Sequence, residues 1–317
     1  MKEKEERRTG VPFDIIEIQG RGKFAESEGG VSEMMNTIKT TFLMALMIVL
    51  LIFVGNVIGG REGATIAFGF ALIFNFLSYY FSDRIVLAAY GAREVTREEI
   101  PWLHDAVGEL SRRAGIPMPR LFVIDSPQPN AFATGRNPSH AAVAVNRGLL
   151  NLMNREEVVG VLAHELSHIL HRDTLISMLA AAFAGAIMYL ASMARWAMFF
   201  YGGRDRDRGG GGLLEMLLVA ILAPLAALLI QMAISRSREY AADAGAARLT
   251  ENPLSLASAL EKLAYAADRI PMEASPATAH LFIVNPLSGG GVASLFSTHP
   301  PIEERIRRLR EMAGVVG

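Results

Sequence analysis

Four stretches of the chain, at residues 41–60, 64–82, 174–194 and 216–234, contain no Asp, Glu, Lys or Arg and are almost wholly apolar. Each approaches the ~20 residues with which an α-helix crosses the hydrocarbon core of a bilayer. Together they predict up to four transmembrane helices in two hairpins, over 36–82 and 174–234. Trp196, Phe199, Phe200 and Tyr201 follow the third run, where an aromatic belt would meet the headgroups. Between the hairpins the pattern changes. Residues 101–114 carry Trp102, Val107 and Leu110 at helical spacing, with Pro101 at the start and Gly115 as the stop. Short apolar runs at 121–124 and 141–145 predict two strands, and 130–135 within their connection predicts a third. Asn154, with Glu157 three residues on, predicts a capping box opening a long helix. The fold class expected is mostly α with a small mixed β-sheet.

Composition agrees with a protein partly solvated by lipid: 51% of residues are hydrophobic, 20% are charged and mean hydropathy is +0.28. A net charge of -1 supplies no cationic surface, which sets nucleic acid aside as a partner. The chain has no Cys, so disulfides and thiolate ligands are excluded and any metal must rest on His and carboxylates. Residues 1–35 form a charged tail too long and too acidic for a cleaved signal peptide, so the first span is expected to stay attached. Lys2, Lys4, Arg7, Arg8, Arg21, Lys23 and Lys39 precede that span, against Arg61 alone in the following loop. This asymmetry places the N-terminus in the cytoplasm. Residues 83–173 and 235–317 then face the same side as two parts of one catalytic domain. Arg204, Arg206 and Arg208, in the loop of the second hairpin, run against that rule.

The chemistry concentrates in HELSH at 164–168. Residues four apart on a helix share a face, so His164 and His168 can hold one metal ion. Glu165 lies beside them without being forced to ligate, where it can take a proton from a water that the metal acidifies. Val158, Leu162, Leu166 and Ile169 form a separate apolar stripe for packing. The H-E-x-x-H pattern arises by chance in roughly one chain in a hundred of this length. His171 continues the reactive stripe, but three ligands along one straight helix would string out along its axis, and it is not taken as a ligand. A catalytic zinc usually has a third protein ligand. Glu239 is the candidate, with Asp243 four residues on to accept a hydrogen bond from the far nitrogen of a ligating His. Read alone, that pair also fits an ordinary solvated helix face.

The sequence resembles the HtpX family of membrane-bound zinc metalloproteases over about residues 35–312. The likeness is carried by YGAREV (90–95), NAFATG (130–135), HELSH (164–168), SREYAAD (237–243), HLFIVNP (280–286) and THPP (298–301). It implies a zincin-like (gluzincin) domain on the cytoplasmic side of the cell membrane, one Zn2+ per chain, and Glu239 as third ligand. It also implies misfolded or damaged proteins as substrates, membrane proteins above all, with the lipid bilayer as the other partner. His299 resembles the residue that steadies the tetrahedral intermediate in related peptidases, and Arg305 would orient it or share the task. Asn130, Ala131, Phe132 and Ala133 would bind an extended substrate at a sheet edge. The tail before residue 35 departs from the family pattern. Two other classes compete. A membrane chaperone or scaffold with structural zinc has no need of Glu165, and a transporter needs ionisable groups within its spans, where the second to fourth runs offer little beyond Asn75 and Gln231.

Overall fold

The computed structural model describes residues 14–201, 236–267, 269, 281–283 and 300–315. The fourth apolar run, the arginines of the loop before it and His299 lie outside the described residues. Helix α1 (Asp14–Ala89) spans 76 residues and reverses at Gly59 and Gly60, where φ of +59° at Gly60 suits a residue without Cβ. From Asp14 the charged segment is helical and continuous with the first arm. The two arms approach so closely that a Cβ on Gly63 would lie 2.2 Å from the Gly55 carbonyl oxygen. Further along, Asn75 Nδ2 donates to the Met44 carbonyl at 3.1 Å.

Segments Met34–Asn56 and Gly59–Ala89 are long and apolar enough to cross a membrane. Their outward faces leave Phe53, Ile66, Phe70 and Ile73 exposed, a surface that lipid can solvate. The third apolar run forms α5 (Thr174–Tyr201), whose Ile176, Leu179, Phe183 and Ile187 are fully buried against Leu43, Met47 and Ala71 of α1.

The domain between them follows the predicted pattern closely. Helix α2 occupies Pro101–Ala114, stopped by Gly115 in the left-handed region at φ +67°. The sheet contains β1 (Arg93–Glu94), β2 (Arg120–Ile124), β3 (Ala131–Gly135) and β4 (Ala141–Asn146), in the order β1-β2-β4-β3. β2 and β4 are parallel, while β1 and β3 join antiparallel at the edges. Leu121, Val123, Ala133, Val143 and Val145 face the helical core, whereas Phe122, Phe132, Ala142 and Ala144 pack on Leu87 of α1 and Met178 of α5. Burial on both faces explains why these strands read as continuous apolar runs. Strand β1, two exposed residues, and helix α3 (Arg147–Leu152), six residues, are too short to leave a periodic signal.

Helix α4 (Arg155–Leu170) runs through the centre, against β3 and against α6 (Arg236–Thr250) and α7 (Pro253–Ala267). Its start carries the capping box, with Asn154 and Glu157 bonded reciprocally. Glu157 also accepts from Ser258 Oγ at 2.6 Å and Lys262 Nζ at 2.7 Å, pinning α4 to α7. Val158, Leu162, Leu166 and Ile169 form the buried stripe. Helix α8 (Ile302–Met312) closes the domain over α6 and α7.

Candidate active site

Two helices build the site because a glycine lets them meet. A Cβ on Gly245 of α6 would lie 2.4 Å from Ser167 Oγ of α4, so a side chain there would force Ser167 to shift. With the helices in register there, Glu239 and Asp243 come level with His164. His168 Nε2 lies 3.2 Å from His164 Nε2 and 3.5 Å from Glu239 Oε1, and His164 Nε2 lies 3.8 Å from Glu239 Oε2. Ligand atoms bound tetrahedrally at about 2.0–2.1 Å from an ion stand about 3.3 Å apart. The two imidazole nitrogens and the Glu239 carboxylate have nearly that spacing, and His164, His168 and Glu239 form the candidate metal-holding group among the described residues.

Each imidazole is held from behind. His164 Nδ1 stands 2.9 Å from Asp243 Oδ1, the placement expected of a carboxylate that fixes a ligand's tautomer. His168 Nδ1 stands 3.3 Å from Asp173 Oδ2 in the turn after α4. Burial alone would lower the basicity of His168, but Asp173 and Glu239 outweigh it and raise its pKa to about 9. The imidazole must therefore give up a proton to ligate. Asp243 is likewise opposed by burial, yet Arg305 holds its carboxyl down at about 2.

Glu165 is buried and points to the other side of the group. Its Oε2 accepts the Ala133 N–H of β3 at 2.8 Å. Burial pushes the Glu165 pKa up from its ordinary value, despite the two neighbouring imidazoles. A carboxylate kept poorly solvated beside a metal site is the environment of a general base. Around it a cleft is lined by Phe132, Ala133, Thr174, Ser177, Leu281 and Ile283.

The remaining expected residues fall in less obvious places. Arg305 is fully buried, donates through Nε and Nη2 to both oxygens of Asp243 at 2.8 and 2.7 Å, and donates through Nη1 to the Ile283 carbonyl at 3.2 Å. It stands behind the imidazole of His164 rather than among the groups lining the cleft. The Asn130 amide is also turned inward, donating to the Leu281 carbonyl at 3.3 Å and accepting the Ile283 N–H at 3.2 Å. It fixes the segment 281–283 that forms one cleft wall. Phe132 and Ala133 line the cleft, and Ala131 is buried in the core. His171 donates its Nδ1 proton to the Ser167 carbonyl at 2.7 Å. Asp173 is the residue that reasoning from sequence misses. Its signal is its position, just past the helix end, where the second imidazole also needs a partner.

The M48 peptidase model, "Peptidase family M48", matches residues 97–313, more than half of the chain. The "Protease HtpX homolog" of Persephonella marina is 56% identical over 287 residues, covering 89% of this chain and 99% of the relative. That of Thermodesulfovibrio yellowstonii is 57% identical over 279 residues, covering 88% and 99%. The chain belongs to the HtpX protease family. It is a membrane metallopeptidase, and its substrates are proteins. The M48 assignment makes the activity metal-dependent, in keeping with the His-His-Glu group. Among solved structures, the crystal structure of S. mikatae Ste24p aligns with a TM-score of 0.48 at 19% identity, covering 89% of this chain and 67% of that one.

Proposed function

We propose that this HtpX-family protein is a zinc endopeptidase that cleaves misfolded or damaged proteins at the cytoplasmic face of the cell membrane. The observation that carries the reading is the meeting of three ligand atoms with a buried carboxylate, Glu165, that stands outside the ligand group on the cleft side. His164, His168 and Glu239 would hold the ion, which when bound supplies Lewis acidity, acidifying a water and polarising a peptide carbonyl. Glu165 removes the water's proton and later passes it to the leaving amine. His299 offers its imidazole to the developing oxyanion. Arg305 and Asp243 keep His164 in one tautomer, and Asp173 does the same for His168.

The substrate lies extended along β3. The Ala133 N–H now occupied by Glu165 is the edge donor such a strand would take, which frees the carboxylate as substrate enters. Pairing through backbone groups tolerates many sequences, as quality control of damaged proteins requires. With the second hairpin completing a multi-pass anchor, α4 and α6 both adjoin membrane segments, and the cleft lies close to the bilayer surface.

Chelation of the purified full-length protein in detergent is expected to abolish cleavage of an unfolded protein and to remove about one metal equivalent per chain. Zinc should restore both, with new N-termini appearing inside the substrate. Metal-free protein that cleaves at the untreated rate would refute the reading. The orientation has its own test, since the chain has no Cys. The variant Ser126→Cys is expected to react with a membrane-impermeant maleimide only after cells are permeabilised, and labelling in intact spheroplasts would reverse the topology.

A further inference from the structure

The turn after α4 is unusual. Arg172 adopts φ +57°, a left-handed conformation that a residue with a Cβ rarely takes unless its surroundings hold it. Backbone bonds close the turn, from Arg172 N to the Ile169 carbonyl at 3.1 Å and from Asp173 N to the His168 carbonyl at 3.0 Å. One side chain outside the catalytic domain grips its three residues together. Asn36, at the start of the first membrane segment, presents Nδ2 to the His171 and Arg172 carbonyls at 3.3 Å each and to Asp173 Oδ1 at 3.1 Å.

Asn36 is buried, so these groups have little access to water in exchange. Its own Oδ1 accepts from Arg238 Nη1 at 3.4 Å, and the same guanidinium atom reaches Asp173 Oδ1 at 3.4 Å. Arg238 immediately precedes Glu239. Both Asp173 oxygens are thus engaged in opposite directions, Oδ1 by Asn36 and Arg238, Oδ2 by His168 Nδ1. A carboxylate anchored on one oxygen offers the other at a defined angle, which is how an outer partner orients a metal-binding imidazole.

We infer that Asn36 is a positioning residue of the metal site: the first membrane helix, through Asn36 and Asp173, sets the orientation of His168, so the membrane anchor is part of the catalytic architecture. The inference rests on His168 being a metal ligand, as proposed above. It accounts for features that the peptidase reading alone does not require, namely a buried amide at the start of a membrane segment and a left-handed arginine held beneath it. Three elements distant in sequence, at 36, 173 and 238, meet at one carboxylate beside the ligand group.

The test uses full-length protein in detergent and zinc alone as probe, with affinity measured by competition against a chromophoric chelator. Asp173→Asn removes the charge with little change of shape and is expected to weaken zinc binding about 10- to 100-fold. Asn36→Leu is expected to weaken it about 10-fold, and the double variant no more than Asp173→Asn alone, because Asn36 acts through Asp173. Asn36→Ser, which retains one donor, should fall between wild type and the Leu variant, and it carries the test if Asn36→Leu does not fold. Asn75→Leu is the control. It deletes a comparable buried amide bond between the two arms of α1, away from the site, and should leave zinc affinity unchanged. Unchanged affinity in the Asn36 variants, an equal loss in Asn75→Leu, or fully additive losses in the double variant would overturn the inference. Wild type that binds no zinc would instead sink the metal reading beneath it.

Discussion

Glu165→Gln is expected to retain zinc at the wild-type level and to cleave an unfolded protein about 100- to 10,000-fold more slowly, the usual contribution of a positioned general base. Glutamine keeps the size of the side chain, and its carbonyl oxygen can still accept the Ala133 N–H that Glu165 accepts at 2.8 Å. The fold and the metal site should therefore survive while proton transfer is lost. The comparison is decisive between classes. A chaperone or scaffold with structural zinc would hold unfolded clients as well with glutamine as with glutamate. Folded, zinc-loaded Glu165→Gln that cleaves at the wild-type rate would remove Glu165 from the mechanism.

The second large effect concerns the metal itself. Glu239→Gln is expected to lower zinc affinity by more than about 100-fold, since loss of a direct ligand should exceed the 10- to 100-fold typical of an outer partner. The neutral amide leaves the Arg305 guanidinium, 3.7 Å from Glu239 Oε2, beside the His164 imidazole with one fewer negative charge. Arg305 remains charged despite complete burial because Asp243 and Glu239 hold it so. His299→Phe is expected to show the opposite pattern, with zinc retained and turnover slowed. Equal metal loss in the two variants, measured by metal analysis after gel filtration, would mean that their roles had been exchanged.

The two variants separate the site into layers that sequence reveals unequally. The H-E-x-x-H spacing places His164 and His168 on one helix face because helical geometry makes residues four apart neighbours whatever surrounds them. Asn154 and Glu157 announce the start of that helix for the same reason, since a capping box satisfies backbone donors locally. Apolar runs locate the membrane arms, and strands 121–124 and 141–145 are legible because burial on both faces removes their polar positions.

Other residues carry no local signal. Arg305, expected to orient His299 or share its task at the oxyanion, donates to Asp243 and to the Ile283 carbonyl, where α8 packs on α6. Asn130, expected as a substrate contact, spends its amide on residues 281 and 283. In both cases the residue type is legible in the sequence, and the direction from which a distant element approaches sets which groups the side chain meets.

Sequence by itself did not show β1, α3 or α7, but it located α2, α4, the strands β2, β3 and β4 and the two arms of α1, and showed which helix carries the two imidazoles and the acid. Those features depend on spacing within about four residues or on unbroken runs of one polarity. Tertiary structure alone decided that Glu239 and Asp243 stand level with His164, through a crossing that Gly245 permits at Ser167. It alone brought Asn36 and Arg238 to Asp173 behind His168. The orientation of a buried side chain is set by partners far along the chain, and the chain's order does not record which of them will meet.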